Sequence, residues 1–304
     1  MNLKPIRPGE VPPKHPYSFP DELPRLMSRK ADCHKGDFGR CLVVAGSLGM
    51  AGAASLCGIS VLRTGAGLVR IAVPKSCLGT VAGFEPSLMT LPLAEDEDGR
   101  ISTAAADAIF EAASKSTHVA VGPGLGRSPE LDQLVARLYT ELSQPAVFDA
   151  DALNALATQP DALRRPGGPR VLTPHPGEFR TLIGGKEPGQ RVAYHTEART
   201  LATQSKATIV LKGYRTFVSD GSRSYINTSG NPGMATAGMG DVLTGIITGL
   251  MCQGLNVYDS ARLGTYVHGH AGDAAAEDQG HMSLIASDLL RYLPDSLRHV
   301  VKNV

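Results

Sequence analysis

The stretch Asn231-Pro-Gly-Met-Ala-Thr-Ala-Gly-Met-Gly-Asp241 sets a glycine-rich turn directly ahead of a carboxylate. Leu243, Ile246, Ile247 and Leu250 then recur at helical spacing, so the turn ends where a buried helix begins, expected over 241–252. Gly238 and Gly240 let the backbone amides of the turn, that of Met239 included, approach an anion closely. Those amides and the helix dipole suit phosphate oxygens or a developing negative charge. Asp241 beside them can accept the proton of a substrate hydroxyl while the amides hold the phosphoryl group that the hydroxyl attacks. The plainer alternative is that Asp241 merely caps a helix.

Further stretches follow strand-like runs. Lys212-Gly213-Tyr214-Arg215-Thr216 succeeds the apolar run 208–211 and offers a cation and backbone amides to a nucleotide phosphate. Thr173-Pro-His175-Pro-Gly-Glu178 presents His175 and Glu178 where an open α/β sheet places its ligand crevice; the alternative is a helix start that His175 caps. The glycines of 122–126, ending at Gly126, leave bare backbone for a ligand but lack the acidic partner of a dinucleotide fingerprint. Small residues over 46–54, with Ala53 among them, suit either a ligand lying flat on a helix start or close helix packing. Asp149 and Asp151 end another strand: Asp151 reads as a cap, and Asp149 could orient a phosphate-bound metal or water. His268 and His270 point about 200° apart on a helix and cannot share a metal while it holds.

The elements that must position these groups alternate. Strands are expected over 41–45, 68–73, 87–91, 118–121, 146–148, 171–173, 208–212, 216–219 and 224–226. Helices are expected over 51–64, 103–114, 129–142, 152–157, 189–204, 241–252, 257–277 and 284–292. Continuously apolar strands separated by helices require a mostly parallel central sheet with helices on both faces, the α/β class. Residues 1–27 read as a proline-rich arm, with prolines at 5, 8, 12, 13, 16, 20 and 24, and 28–304 as a single domain. In that arm Tyr17, Phe19, Leu23 and Leu26 suggest apolar anchors.

With 304 residues, 42% of them hydrophobic, the chain can bury a full core. Thirty basic and 29 acidic side chains give a net charge of +1, which argues against nucleic acid or an anionic membrane as a partner. No apolar run suits a membrane span or a secretory signal. The five cysteines, odd in number and without a C-x-x-C pair, read as reduced core residues of a cytoplasmic protein.

Taken in order, strand-Gly-Ser, G-P-G-L-G at 122–126, D-A-D-A-L-N at 149–154, T-P-H-P-G-E at 173–178 and the 231–241 stretch resemble the ADP-dependent NAD(P)H-hydrate dehydratases of the ribokinase-like superfamily, over roughly 35–293. The resemblance implies repair of hydrated NADH or NADPH, in which ADP or ATP with Mg2+ drives dehydration of the S epimer. It implies that Asp241 is catalytic and touches substrate, that Ala53, Gly126 and His175 bind substrate, and that Lys212 to Thr216, Asn231, Gly238, Met239 and Gly240 bind the nucleotide. It also implies a homo-oligomer, a tetramer by family resemblance. Only about 35 residues precede the match, so epimerisation is expected from another chain. Two departures stand out: Ala237 and Met239 occupy positions that are glycine and threonine in the family's usual T-G-G-T-G-D. A small-molecule kinase of the same superfamily and a non-catalytic nucleotide sensor are the competing readings.

Overall fold

A computed structural model describes residues 19–302. Its strands are β1 (Arg40–Val44), β2 (Leu68–Pro74), β3 (Met89–Leu93), β4 (His118–Val121), β5 (Ala146–Phe148), β6 (Arg170–Leu172), β7 (Thr208–Leu211), β8 (Phe217–Ser219) and β9 (Ser224–Ile226). They form one 9-stranded sheet in the order β3-β2-β1-β4-β5-β6-β7-β8-β9. Pairings from β3 across to β7 are parallel, and β8 and β9 are antiparallel hairpin additions.

The helices are α1 (Ala51–Arg63), α2 (Leu78–Phe84), α3 (Ala106–Ser114), α4 (Pro129–Glu141), α5 (Asp151–Ala157), α6 (Pro160–Leu163), α7 (Pro176–Leu182), α8 (Arg191–Ser205), α9 (Met239–Cys252), α10 (Val257–Gln279) and α11 (Ala286–Val300). Strand residues alternate between two cores: Leu42 and Val44 face the helices α3 to α8, while Cys41 and Val43 face the α1, α2 and α9 side. Such strands are buried on both faces, which is why they read as unbroken apolar runs. Among the described residues no helix is long and apolar enough to cross a membrane.

β1 lies between β2 and β4, so the chain reverses its direction of growth there, and a ligand crevice is expected outside the carboxyl ends of these two strands. The loops that follow them are clasped: Gly46 N–H donates to the Pro123 carbonyl at 2.8 Å and Ser47 Oγ to that of Gly124 at 2.8 Å. On the opposite side of the crevice α9 lies tightly against α1. A methyl group at Gly245 would collide with the Cys57 carbonyl, and one at Gly249 with the Thr64 side chain.

All the expected strands are present, each within two residues of its expected bounds. The helix expected from Asp241 starts at Met239, the segment at 103–105 is a 3-10 turn ahead of α3, and α11 runs past Pro294 to Val300 instead of stopping near 292. Leu289, Leu293 and Val300 are all buried, and their packing holds α11 together despite the missing proline donor. Of the expected arm, residues 1–18, Tyr17 included, lie outside the described residues. Phe19 sets its ring edge-on to Tyr266 at 5.5 Å, Leu23 and Leu26 are buried, and the Leu26 N–H donates to the Val300 carbonyl at 2.9 Å.

Candidate active site

Asp241 stands in the first turn of α9, whose cap residue Gly238 has a φ of +88°. At Gly238 a Cβ would also meet Ala286 and Leu56 at 2.8 Å, so both backbone conformation and space call for glycine. The Gly240 α-carbon faces inward: a Cβ there would lie 3.1 Å from Lys212 Nζ and 3.6 Å from Asp149 Oδ2. The bare turn, the lysine and two carboxylates therefore share one small space.

Lys212 follows β7 and Asp149 follows β5, with β6 between the two strands. Lys212 Nζ donates to Asp149 Oδ1 at 2.8 Å, and Thr244 Oγ1 donates to the other oxygen, Oδ2, at 2.8 Å. Glu178 Oε2 lies 3.9 Å from the same ammonium. Burial works against the charge of Lys212, but Asp149 and Glu178 outweigh it and its pKa is raised. Burial raises the Glu178 carboxyl as well. Asp241 is pushed up to about 7, by burial first and by the Asp149 charge second, with Lys212 opposing both. A carboxyl titrating there can take a proton near neutral pH.

The expected nucleotide residues fall in two loops. Gly213, Tyr214, Arg215 and Thr216 form the hairpin between β7 and β8, with Arg215 in the left-handed region at φ +58° and Tyr214 exposed. This hairpin is tied to the next loop by Lys212 N–H donating to the Pro174 carbonyl at 2.8 Å. Asn231 is clamped by Asp273 of α10, which accepts from Asn231 Nδ2 at 3.0 Å and from the Gly230 amide at 2.9 Å.

His175 caps α7. Its Nδ1 accepts from the amides of Gly177 at 3.0 Å and Glu178 at 3.2 Å, while Glu178 Oε2 accepts from the His175 amide at 2.8 Å, a reciprocal capping box. The accepting Nδ1 leaves the ring proton on Nε2, on a side chain 56% exposed. Nε2 in turn lies 3.4 Å from Glu178 Oε1, so Glu178 shares that edge of the exposed ring with any ligand.

At the sheet reversal Ala53 and Gly126 line the same crevice: a Cβ at Gly124 would meet that of Ala53 at 3.1 Å, and one at Gly126 would lie 3.6 Å from Ser47 Oγ. Asp151, expected as a cap, is instead the first residue of α5, and its carboxylate accepts from the Gly126 amide at 2.9 Å. The cap position belongs to Ala150, at φ +52°. Because Asp151 sits two residues after Asp149, that bond ties the 122–126 loop to the carboxylate cluster.

Met239 contributes a backbone amide to the helix start, but its side chain is 5% exposed and packs in the apolar core with Val242, Leu243 and Tyr266. A residue that replaces a threonine in a glycine-rich anion loop is expected beside the anion; here the thioether turns inward. His268 is half-buried and its pKa is lowered to about 4, mainly by desolvation, so it is a neutral residue of the α9–α10 contact.

Thr244, Asp273 and the Gly126 tether of Asp151 are not apparent from motif order. Only Thr244 carries a local signal, standing three residues after Asp241 on the same helix face.

A family model described as NAD(P)H-hydrate dehydratase matches residues 41–295. The chain is 46% identical over 285 residues to the bifunctional NAD(P)H-hydrate repair enzyme of Moorella thermoacetica, an alignment that covers 93% of this chain and 53% of that protein. It therefore spans about half the length of such curated relatives. An ADP/ATP-dependent NAD(P)H-hydrate dehydratase from Bacillus subtilis, co-crystallised with ATP/Mg2+, superposes with a TM-score of 0.75 at 27% identity, covering 92% of this chain and 99% of that one. A ribokinase-like superfamily protein from Enterococcus faecalis shares the fold, with a TM-score of 0.76 at 23% identity over 91% of this chain and 93% of its own.

Proposed function

The chain belongs to the NAD(P)H-hydrate dehydratase family, and on that premise we propose that it uses ADP or ATP to dehydrate the S epimer of hydrated NADH or NADPH back to the intact cofactor. The observation that supports this reading most is the Asp241 carboxyl, raised to about 7, beside the Gly238–Gly240 amides and the Lys212 ammonium.

Hydroxide is a poor leaving group at neutral pH. Phosphorylating the C6 hydroxyl of the hydrate turns it into a good one; the ring nitrogen's lone pair then expels phosphate to leave an iminium at C6, and loss of a proton from C5 to solvent returns the electron pair to nitrogen and restores the C5=C6 double bond. Asp241 takes the hydroxyl proton, and the amides of Gly238, Met239 and Gly240 stabilise the transferring group. Lys212 spends one of its three N–H donors on Asp149 and keeps others for a phosphate oxygen. The 213–216 hairpin and the loop at Asn231 hold the nucleotide; Ala53, Gly126 and the Nε2 side of His175 hold the dinucleotide.

Among the described residues no three His, Cys, Asp or Glu side chains converge as a metal cage. This arrangement fits Mg2+, which keeps its waters and binds through phosphates and one or two carboxylates. Glu178 would supply the protein oxygen, and the ion would neutralise phosphate charge during transfer.

Incubating the protein with ATP or ADP, Mg2+ and hydrated NADH, and following the return of nicotinamide absorbance, tests the reading. A phosphoester that accumulates without that return would make the protein a kinase, and tight ADP binding without turnover would make it a sensor. The separate epimerase and the oligomer belong to the same proposal: racemic hydrate should stop near half conversion unless an epimerase is added, and light scattering reports the assembly.

A further inference from the structure

A second cluster of reactive side chains lies at the amino edge of the sheet, at the far end of α9 from Asp241. Cys41 of β1 and His118 of β4 are Cα partners on adjacent parallel strands, so their side chains project to the same face. Cys252, the last residue of α9, packs onto that face with its Sγ 3.5 Å from His118 Nδ1. Cys41 and Cys252 are 2% and 4% exposed.

Thr117 Oγ1 accepts from the Arg40 amide at 2.8 Å and gives its single proton to the Arg40 carbonyl at 3.1 Å. His118 Nδ1 lies 2.9 Å from that oxygen and 3.5 Å from the Cys252 sulfur, so in the tautomer protonated at Nδ1 its N–H faces both. The neighbouring Cys41 thiol and His118 together hold the Cys252 thiol below its ordinary value, against the effect of burial. Burial and the Cys252 neighbour push Cys41 up. The carbonyl end of α9 disfavours a thiolate, so these two neighbours are what favour one.

We propose that Cys252 and Cys41 form a dithiol that small hydroperoxides oxidise, with Cys252 as the attacking sulfur, Cys41 as the resolving one and His118 as the positioning donor. The Cys252 thiolate attacks one peroxide oxygen; an S–O bond forms, the O–O bond breaks, and the departing oxygen takes a proton to leave as water or alcohol. The Cys41 sulfur then attacks the sulfenic sulfur, the S–O bond breaks, and hydroxide leaves with the Cys41 proton as water. Two thiols are oxidised and one hydroperoxide is reduced. The product would join the second residue of β1 to the last residue of α9.

Peroxide treatment of the Cys33→Ser chain, which lacks the most exposed of the thiols, followed by alkylation under denaturing conditions and peptide mapping, tests this. The expected result is a loss of about 2 Da and a Cys41–Cys252 cross-linked peptide that reductant dissolves. Adding Cys41→Ser should trap a sulfenic acid on Cys252 as a dimedone adduct, and Cys252→Ser should give neither product. His118→Ala should slow modification by about tenfold, and His118→Gln, which keeps an N–H, by less. A map in which Cys252 stays reduced while Cys57 or Cys77 reacts overturns the proposal. The map on the Cys33→Ser chain alone decides it, even if the further variants fold poorly.

Discussion

Lys212 and Asp149 come from the ends of two strands that β6 separates, yet their charged atoms meet at 2.8 Å across the end of that strand. The pair is the floor on which the Gly240 turn rests. Asp149 is 1% exposed, and removing its charge would leave the lysine with only the more distant Glu178 and Asp241. Asp149→Asn should therefore lower stability by about 3–5 kcal/mol and weaken nucleotide binding as well. Denaturant unfolding and titration calorimetry read the two effects.

Asp241→Asn should abolish turnover and leave nucleotide affinity within a few-fold. The amide geometry survives an isosteric change, while a general base contributes about 10²–10⁴-fold. A variant that keeps more than about a tenth of the wild-type rate would remove Asp241 from the base role.

The same carboxyl predicts two pH profiles of opposite sense. As the base it must be ionised, so kcat/KM should rise with pH through about 7. As a buried acid with a raised folded pKa, it contributes stability that is fully present below about 4 and lost as pH rises through about 7. Asp241→Asn should flatten the rate profile and, at pH 8, stabilise the fold by about 1–3 kcal/mol. Melting curves at pH 5 and pH 8 report the difference.

Met239→Thr would restore the family's usual residue, and motif comparison alone expects a hydroxyl beside the phosphate to help. The buried thioether argues otherwise. We expect a stability loss of about 1–3 kcal/mol and no gain in ADP affinity. Calorimetry showing clearly tighter ADP binding would place the position at the anion after all.

Leu23 and Leu26 anchor the end of the expected arm against α10 and α11. Replacing both by alanine should lower stability by about 2–5 kcal/mol for each leucine if neither site collapses, bring the melting temperature down with it, and leave kcat unchanged. An unaltered melting curve would show the segment to be dispensable.

The sheet was legible because strands buried on both faces leave continuous apolar runs, such as 118–121 and 208–211. The short helices left weaker traces: α2 carries two glycines in seven residues, and α6 is a single turn opened by a proline. The motifs that follow strands converge on one edge of the sheet because parallel strands bring their carboxyl ends together. Asp273 holding the Gly230–Asn231 loop and Asp151 holding Gly126 were hidden, since each acts through space on a loop far away in sequence. His175 illustrates a different limit. Its capping role and its exposed side chain coexist, so two readings that compete in the sequence are compatible in the fold.

Gly245 and Gly249 lie one and two turns beyond Asp241, where α9 has no room for a side chain against α1. The distance between the two helix axes is therefore set by bare backbone, with none of the give that a rotatable side chain would provide. A single methyl at Gly245 would lift the whole rod, and its leading turn with it, so the reactive carboxyl would miss its target without any group in the crevice being altered. The accuracy of the site is thus governed from behind, by two positions that never meet a ligand.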